Sequence, residues 1–180
     1  MMRPARNPAR RFTLRDAIAL VAAVALGLAW VQAYQRSMAA ATGGVAGWFS
    51  VPIRYFGPIA PFLATLAVCL FGLRLLPPRP PRRQLARSPG FAALASSLLG
   101  LIITAATVAI TTLVRRSSTL YLFFITMRTI NYSAPVIAGA WLALALSGRS
   151  WRRTERDWIE FLAIAVGVGW LLLFLACQVF

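Results

Sequence analysis

Polar positions in this chain fall in short clusters between long apolar runs. The runs cover about 17–34, 56–76, 89–114 and 158–180, with a shorter one at 133–147. Hydrocarbon about 30 Å thick takes roughly 20 helical residues to cross, so the pattern predicts an all-α, polytopic transmembrane helix bundle with five spans. Residues 1–16 form a basic arm, and 17–180 form a single transmembrane domain.

Local signals agree with these boundaries. Thr13-Leu-Arg-Asp16 is a Thr-x-x-Asp capping box ahead of span 1, and Ser88-Pro89 places a good N-cap residue before a proline at the first helical position of span 3. Thr154-Glu-Arg-Asp157 repeats the Thr-x-Arg-Asp pattern before span 5. Pro58 and Pro61 fall in the first turns of span 2, where a missing amide costs little. Between spans 2 and 3, Pro77-Pro-Arg-Pro-Pro-Arg-Arg83 cannot be helical and reads as a stiff, extended connector. The loop from 35 to 55 carries Gly43, Gly44, Gly47 and Pro52, with Trp48 and Tyr55 suited to the headgroup layer.

Two stretches admit two readings. Residues 117–132 are apolar but interrupted by Arg128 and Asn131, which predicts an interfacial helix leading into span 4; the alternative is one long tilted helix through 146. The basic arm, the first apolar run and Val31-Gln-Ala33 also fit a cleaved signal peptide, although the run is long for one.

Composition sharpens the picture. Hydrophobic residues make up 59% of the 180, above the 45–50% of a soluble domain, and mean hydropathy is +0.71. The net charge of +15 would ordinarily suggest nucleic acid, but every one of the 19 basic residues is Arg and most flank apolar runs. That placement points to topology control and to anionic headgroups as the partner, with no nucleic acid expected. Fourteen arginines lie in the N-terminal arm, in 74–87 and in 149–156, against five in the alternating segments. The positive-inside rule then puts the N-terminus and those two loops in the cytoplasm and the C-terminus outside.

Little chemistry is expected. There is no His, and Cys69 and Cys177 both lie inside apolar runs with no metal-type spacing. No Ser/His/Asp set, phosphate loop or dinucleotide fingerprint is present, so no catalytic, cofactor-binding or metal-binding residue is expected. The acids are Asp16, Glu155, Asp157 and Glu160. Asp16 and Asp157, with Thr13, Ser88 and Thr154, read as helix caps. Glu160 lies one turn inside span 5 and Arg128 interrupts an apolar stretch, so both are candidate intramembrane charges. The simpler readings are a Glu160 carboxylate snorkelling near the interface beside Arg153 or Arg156, and an interfacial Arg128.

The clearest pattern is in span 3. Ala93, Ser97, Gly100, Thr104, Thr107 and Thr111 recur at steps of four, three, four, three and four, placing small or hydroxyl groups on one face. Such a seam suits close helix packing with hydrogen bonds across the contact; the sharper reading is a polar strip along a substrate path. In span 1, Leu20, Val24, Leu28 and Val31 form a bulky stripe expected to face lipid.

Arg11-Phe-Thr-Leu-Arg-Asp16, followed by an Ala/Leu/Val run, resembles the F-[ST]-L-R-D lead-in of uncharacterised planctomycete-type multi-pass membrane proteins. The resemblance covers roughly the first 20 residues and implies a bacterial inner-membrane location and no activity. The expectation is therefore a non-enzymatic structural, scaffold or assembly subunit that meets other membrane subunits or itself. A small permease or translocation subunit is the alternative, and a lipid-modifying enzyme a distant third.

Overall fold

A computed structural model of the chain describes residues 12–41, 56–76, 85, 88–115, 121–147 and 157–179, excluding the side chains of 37–41, 111–115 and 121–124. Five helices account for nearly all of them, with no strand among the described residues: α1 (Leu14–Ala41), α2 (Ile59–Leu75), α3 (Pro89–Arg115), α4 (Tyr121–Leu146) and α5 (Trp158–Val179). Four contain segments long and apolar enough to cross a membrane: Leu14–Arg36, Pro89–Ile110, Ile125–Leu146 and Trp158–Val179. The fifth, α2, has 17 residues and is about 25 Å long at 1.5 Å per residue.

Close approaches fix how the helices run. Cys69 Sγ donates to the Ala19 carbonyl at 3.3 Å, and a Cβ on Gly27 would lie 3.1 Å from the Phe62 ring, so α1 is antiparallel to α2. A Cβ on Gly100 would lie 2.9 Å from the Ser133 Cα, and Trp141 Nε1 donates to the Pro89 carbonyl at 3.0 Å, so α3 is antiparallel to α4. Gly90 abuts Glu160 and Gly167 abuts Ala93, which makes α3 and α5 parallel. The N-termini of α1, α3 and α5 thus share one end of the bundle with the C-termini of α2 and α4.

The core lies among α2, α3, α4 and α5, around Ala67, Leu70, Leu94, Ile137, Ala163 and the fully buried Trp170. Helix α1 packs mainly on α2 and is peripheral. Of the bulky stripe expected to face lipid, Leu28 is exposed, while Leu20, Val24 and Val31 are half-buried and Ile18 and Val21 face outward instead. Gly27 takes the α2 side, where a Cβ would lie 2.8 Å from the Thr65 hydroxyl and 3.1 Å from the Phe62 ring, and Ala23 one turn earlier is buried on the same side.

Two boundaries differ from the sequence pattern. Helix α1 continues from the expected end near Tyr34 to Ala41, since 35–41 contains Arg, Met and Ala, which favour helix, and no Gly or Pro. Helix α4 is continuous, without the break expected near 132/133. The single long helix describes this backbone because its one proline, Pro135, turns its ring outward and removes only one ladder hydrogen bond. The basic arm through Arg11, the loop with Trp48 and Tyr55, the proline connector and the segment holding Arg153, Thr154, Glu155 and Arg156 lie outside the described residues.

Candidate functional site

Glu160 is a buried, multiply bonded polar side chain of the bundle. It stands in the first turn of α5 with 7% of its surface exposed. The α3 start beside it is shaped by Ser88-Pro89-Gly90. Pro89 opens the helix without needing a hydrogen bond for its nitrogen, and Ser88 Oγ accepts from the Phe91 amide at 3.1 Å as an N-cap. Gly90 presents its amide to Glu160 Oε1 at 2.8 Å. A Cβ at Gly90 would lie 2.9 Å from both the Glu160 Cδ and its carbonyl oxygen, so no larger residue fits there without moving α5.

The other carboxylate oxygen is also engaged. Glu160 Oε2 accepts from the Ser88 hydroxyl and from Arg74 Nη2, the latter at 3.2 Å. Arg74 lies in the last turn of α2, and its Nη1 is 3.7 Å from Asp157 Oδ2, immediately before α5. One guanidinium therefore joins two carboxylates of α5 while one of them caps α3. The carboxylate's charge also lies at the positive end of the α3 dipole, where it is favoured. Trp141 of α4 adds its hydrogen bond to Pro89, and Phe12 sets its ring edge-on to Trp158 with centroids 5.0 Å apart. The polar knot thus joins α2, α3 and α5, and Trp141 ties α4 to it.

The structure corrects the expected partner of Glu160. The carboxylate is a buried cross-link to α2 and α3 instead of a snorkelling group, while Arg153 and Arg156 lie outside the described residues. Sequence reasoning counted Arg74 as one of a loop cluster. Its signal was its place on the last turn of an apolar helix, the only arginine of 74–87 so placed.

The caps are built as the local pattern implies at Thr13 and Asp16, where the Thr13 amide donates to Asp16 Oδ2 at 3.0 Å and the Asp16 amide to Thr13 Oγ1 at 3.3 Å. Asp157 precedes α5 and adds the Arg74 contact.

The α3 seam is brought together, but its hydroxyls do not bridge helices. Ala93, Ser97, Gly100 and Thr104 are buried and Thr107 is half-buried, while the Thr111 side chain is outside the description. Ser97 Oγ donates to the Ala93 carbonyl at 2.8 Å and Thr107 Oγ1 to the Thr104 carbonyl at 2.9 Å, both within α3. Thr129 on α4 does the same toward Ile125. Thr104 Oγ1 and Ser133 Oγ are buried without a hydrogen-bond partner. The hydrogen bonds expected across this contact are absent at these residues. Close backbone approach at Gly100 is what joins α3 to α4.

Arg128 is half-buried on α4 and forms no ion pair among the described residues. No group of three or more metal-ligating side chains occurs among the described residues. An apolar cleft of about 280 Å³ runs between α1 and α2, lined by Ala19, Ala22, Ala23, Leu26, Trp30 and Val68 among others. Helices of this length and apolarity, tied by one buried polar knot, define a helical membrane protein. Comparison of the chain with protein families, with curated proteins and with solved structures gives no match.

Proposed function

We propose that this chain is a non-enzymatic multi-pass protein of a bacterial inner membrane, serving as a structural or assembly subunit of a membrane complex. The observation that carries the reading is how the interior polar groups are used. Both Glu160 oxygens are engaged by donors from α2 and α3, and the Ser97 and Thr107 hydroxyls return to their own backbone. Glu160 and its donors hold α2, α3 and α5 together, and the Ser97 and Thr107 hydroxyls are closed on their own helix, so these groups serve structure. The 280 Å³ cleft is walled by apolar side chains, which suits lipid and not a polar substrate.

The arginine distribution supports a cytoplasmic N-terminus and knot, and an external C-terminus. The F-T-L-R-D lead-in, similar to that of planctomycete-type membrane proteins, supports the bacterial location.

Purification from native membranes in mild detergent tests the reading. The expected result is a stable heteromeric complex of larger mass than the 19.7 kDa chain or its symmetric oligomers. A solitary species that lets polar solutes through vesicle walls would replace it with the permease reading. That second reading is favoured by the unpartnered Thr104 and Ser133 hydroxyls between α3 and α4, where a polar path would begin.

A further inference from the structure

The outward face of α4 carries a row of polar and small residues. Arg128, Asn131, Tyr132, Pro135, Gly139 and Leu142 follow one another at helical spacing, and all are half-buried or exposed. They lie opposite Thr126, Thr129, Ile130, Ser133 and Ile137, which face the core. The outward row has a cation at its start and an exposed amide one turn deeper. Pro135 has no N–H to give to the Asn131 carbonyl four residues back, so that carbonyl also lacks its usual helix partner. Further along, a Cβ at Gly139 would meet nothing within 4 Å, leaving a smooth lane where another backbone can come close. Polar groups on the lipid side of a span call for a partner.

No described side chain supplies Arg128 with a carboxylate. The acids of the chain are Asp16, Glu155, Asp157 and Glu160. Asp157 and Glu160 are in the knot, Asp16 is in the first turn of α1 at the same end, and Glu155 lies outside the described residues. Arg128 precedes the knot residue Trp141 by thirteen helical positions, about 20 Å along the axis. A second copy in the same orientation, docked by this face about a two-fold axis, would set Arg128 against Arg128. A lipid phosphate would satisfy Arg128 but leave the Asn131 groups and the Gly139 lane unfilled.

We propose that the outward face of α4 receives a transmembrane helix of a different protein, one carrying a carboxylate side chain level with Arg128 and packing closely along Pro135 and Gly139. This rests on the subunit reading and names the chemistry of the partner.

The test uses the full chain, donor-labelled, in phosphatidylcholine vesicles, with acceptor-labelled Leu/Ala transmembrane peptides bearing a single Asp, Leu or Lys four residues from one end. Energy transfer is expected to give the Asp peptide an apparent Kd about tenfold below that of the Leu peptide. Arg128→Leu removes the preference, and Arg128→Glu transfers it to the Lys peptide. Gly139→Leu weakens binding of the Asp peptide while leaving the thermal transition of the bundle in place. Equal binding of the three peptides overturns the proposal, as does an Asp preference that survives Arg128→Leu. Displacement of the Asp peptide by added phosphatidylglycerol makes lipid the occupant and overturns it. Transfer between two labelled copies that Gly139→Leu abolishes makes a second copy the occupant and overturns it too. A native complex unchanged by Arg128→Leu would leave the subunit reading standing without this face. The Asp preference without any native complex would leave the face standing and remove the subunit reading.

Discussion

At the scale of single residues, what a side chain touches decides its cost. Removing Glu160 would strand Arg74, the Ser88 hydroxyl and the Gly90 amide together. Glu160→Ala should therefore destabilise the bundle by roughly 3–5 kcal/mol, the range for breaking a buried pair on one side. Arg74→Leu and Glu160→Leu should be strongly non-additive when combined, with a coupling of about 0.5–3 kcal/mol, measurable by denaturant titration in detergent. Additive effects would show that the knot is not a coupled unit. Thr104 behaves oppositely, since its hydroxyl is buried without a partner. Thr104→Val should raise stability by about 1 kcal/mol, because it replaces an unsatisfied polar group by a methyl of similar shape. A loss of stability in that variant would mean that the hydroxyl has a partner.

At the scale of helices, two glycines with opposite surroundings separate packing from propensity. A Cβ at Gly100 runs into Ser133 backbone at 2.9 Å, whereas one at Gly139 meets nothing. Gly100→Ala should force α3 from α4 and cost about 1–3 kcal/mol, as overpacking does. Gly139→Ala should stabilise α4 by roughly 0.5–1 kcal/mol through backbone entropy alone. Thermal unfolding of the two variants side by side measures the contrast, and similar shifts in both would show that α3 and α4 do not meet at Gly100. The seam shows what a spacing pattern can convey. Steps of four and three placed Ala93, Ser97, Gly100 and Thr104 on one buried face, yet they carried no information on where the hydroxyl protons point.

For the whole molecule, the alternating run of the helices sets the N-terminus of α1 and the C-terminus of α5 at opposite ends. If all five helices cross the membrane with the arginine-rich side inward, reporter fusions at Pro81 and Arg152 should read cytoplasmic and one at the C-terminus external. A cytoplasmic C-terminus would show an even number of crossings and contradict the shared direction of α1, α3 and α5. Asp157 and Glu160 of the knot, and Asp16 in the first turn of α1, lie at the end that this topology makes cytoplasmic, so no described acidic side chain lies at the opposite end beside Arg128.

The all-helical class, the approximate bounds of most helices and the Thr13–Asp16 cap were determined by the sequence alone. Each depends on residues within a few positions of one another and on the length of hydrocarbon that an apolar run must match. Even there, the continuity of α4 stayed open, because Arg128 and Asn131 suit an interface and a protein-covered helix equally well. Tertiary structure decided the partners. Arg74 and Glu160 are 86 residues apart, and their meeting depends on the antiparallel run of α2 against α5 and on the rotation of each about its axis. The same holds for Gly100 against Ser133 and for which face of α1 turns to α2. Those rotations follow from many small packing terms between distant segments, to which no local pattern of apolar and polar residues has access.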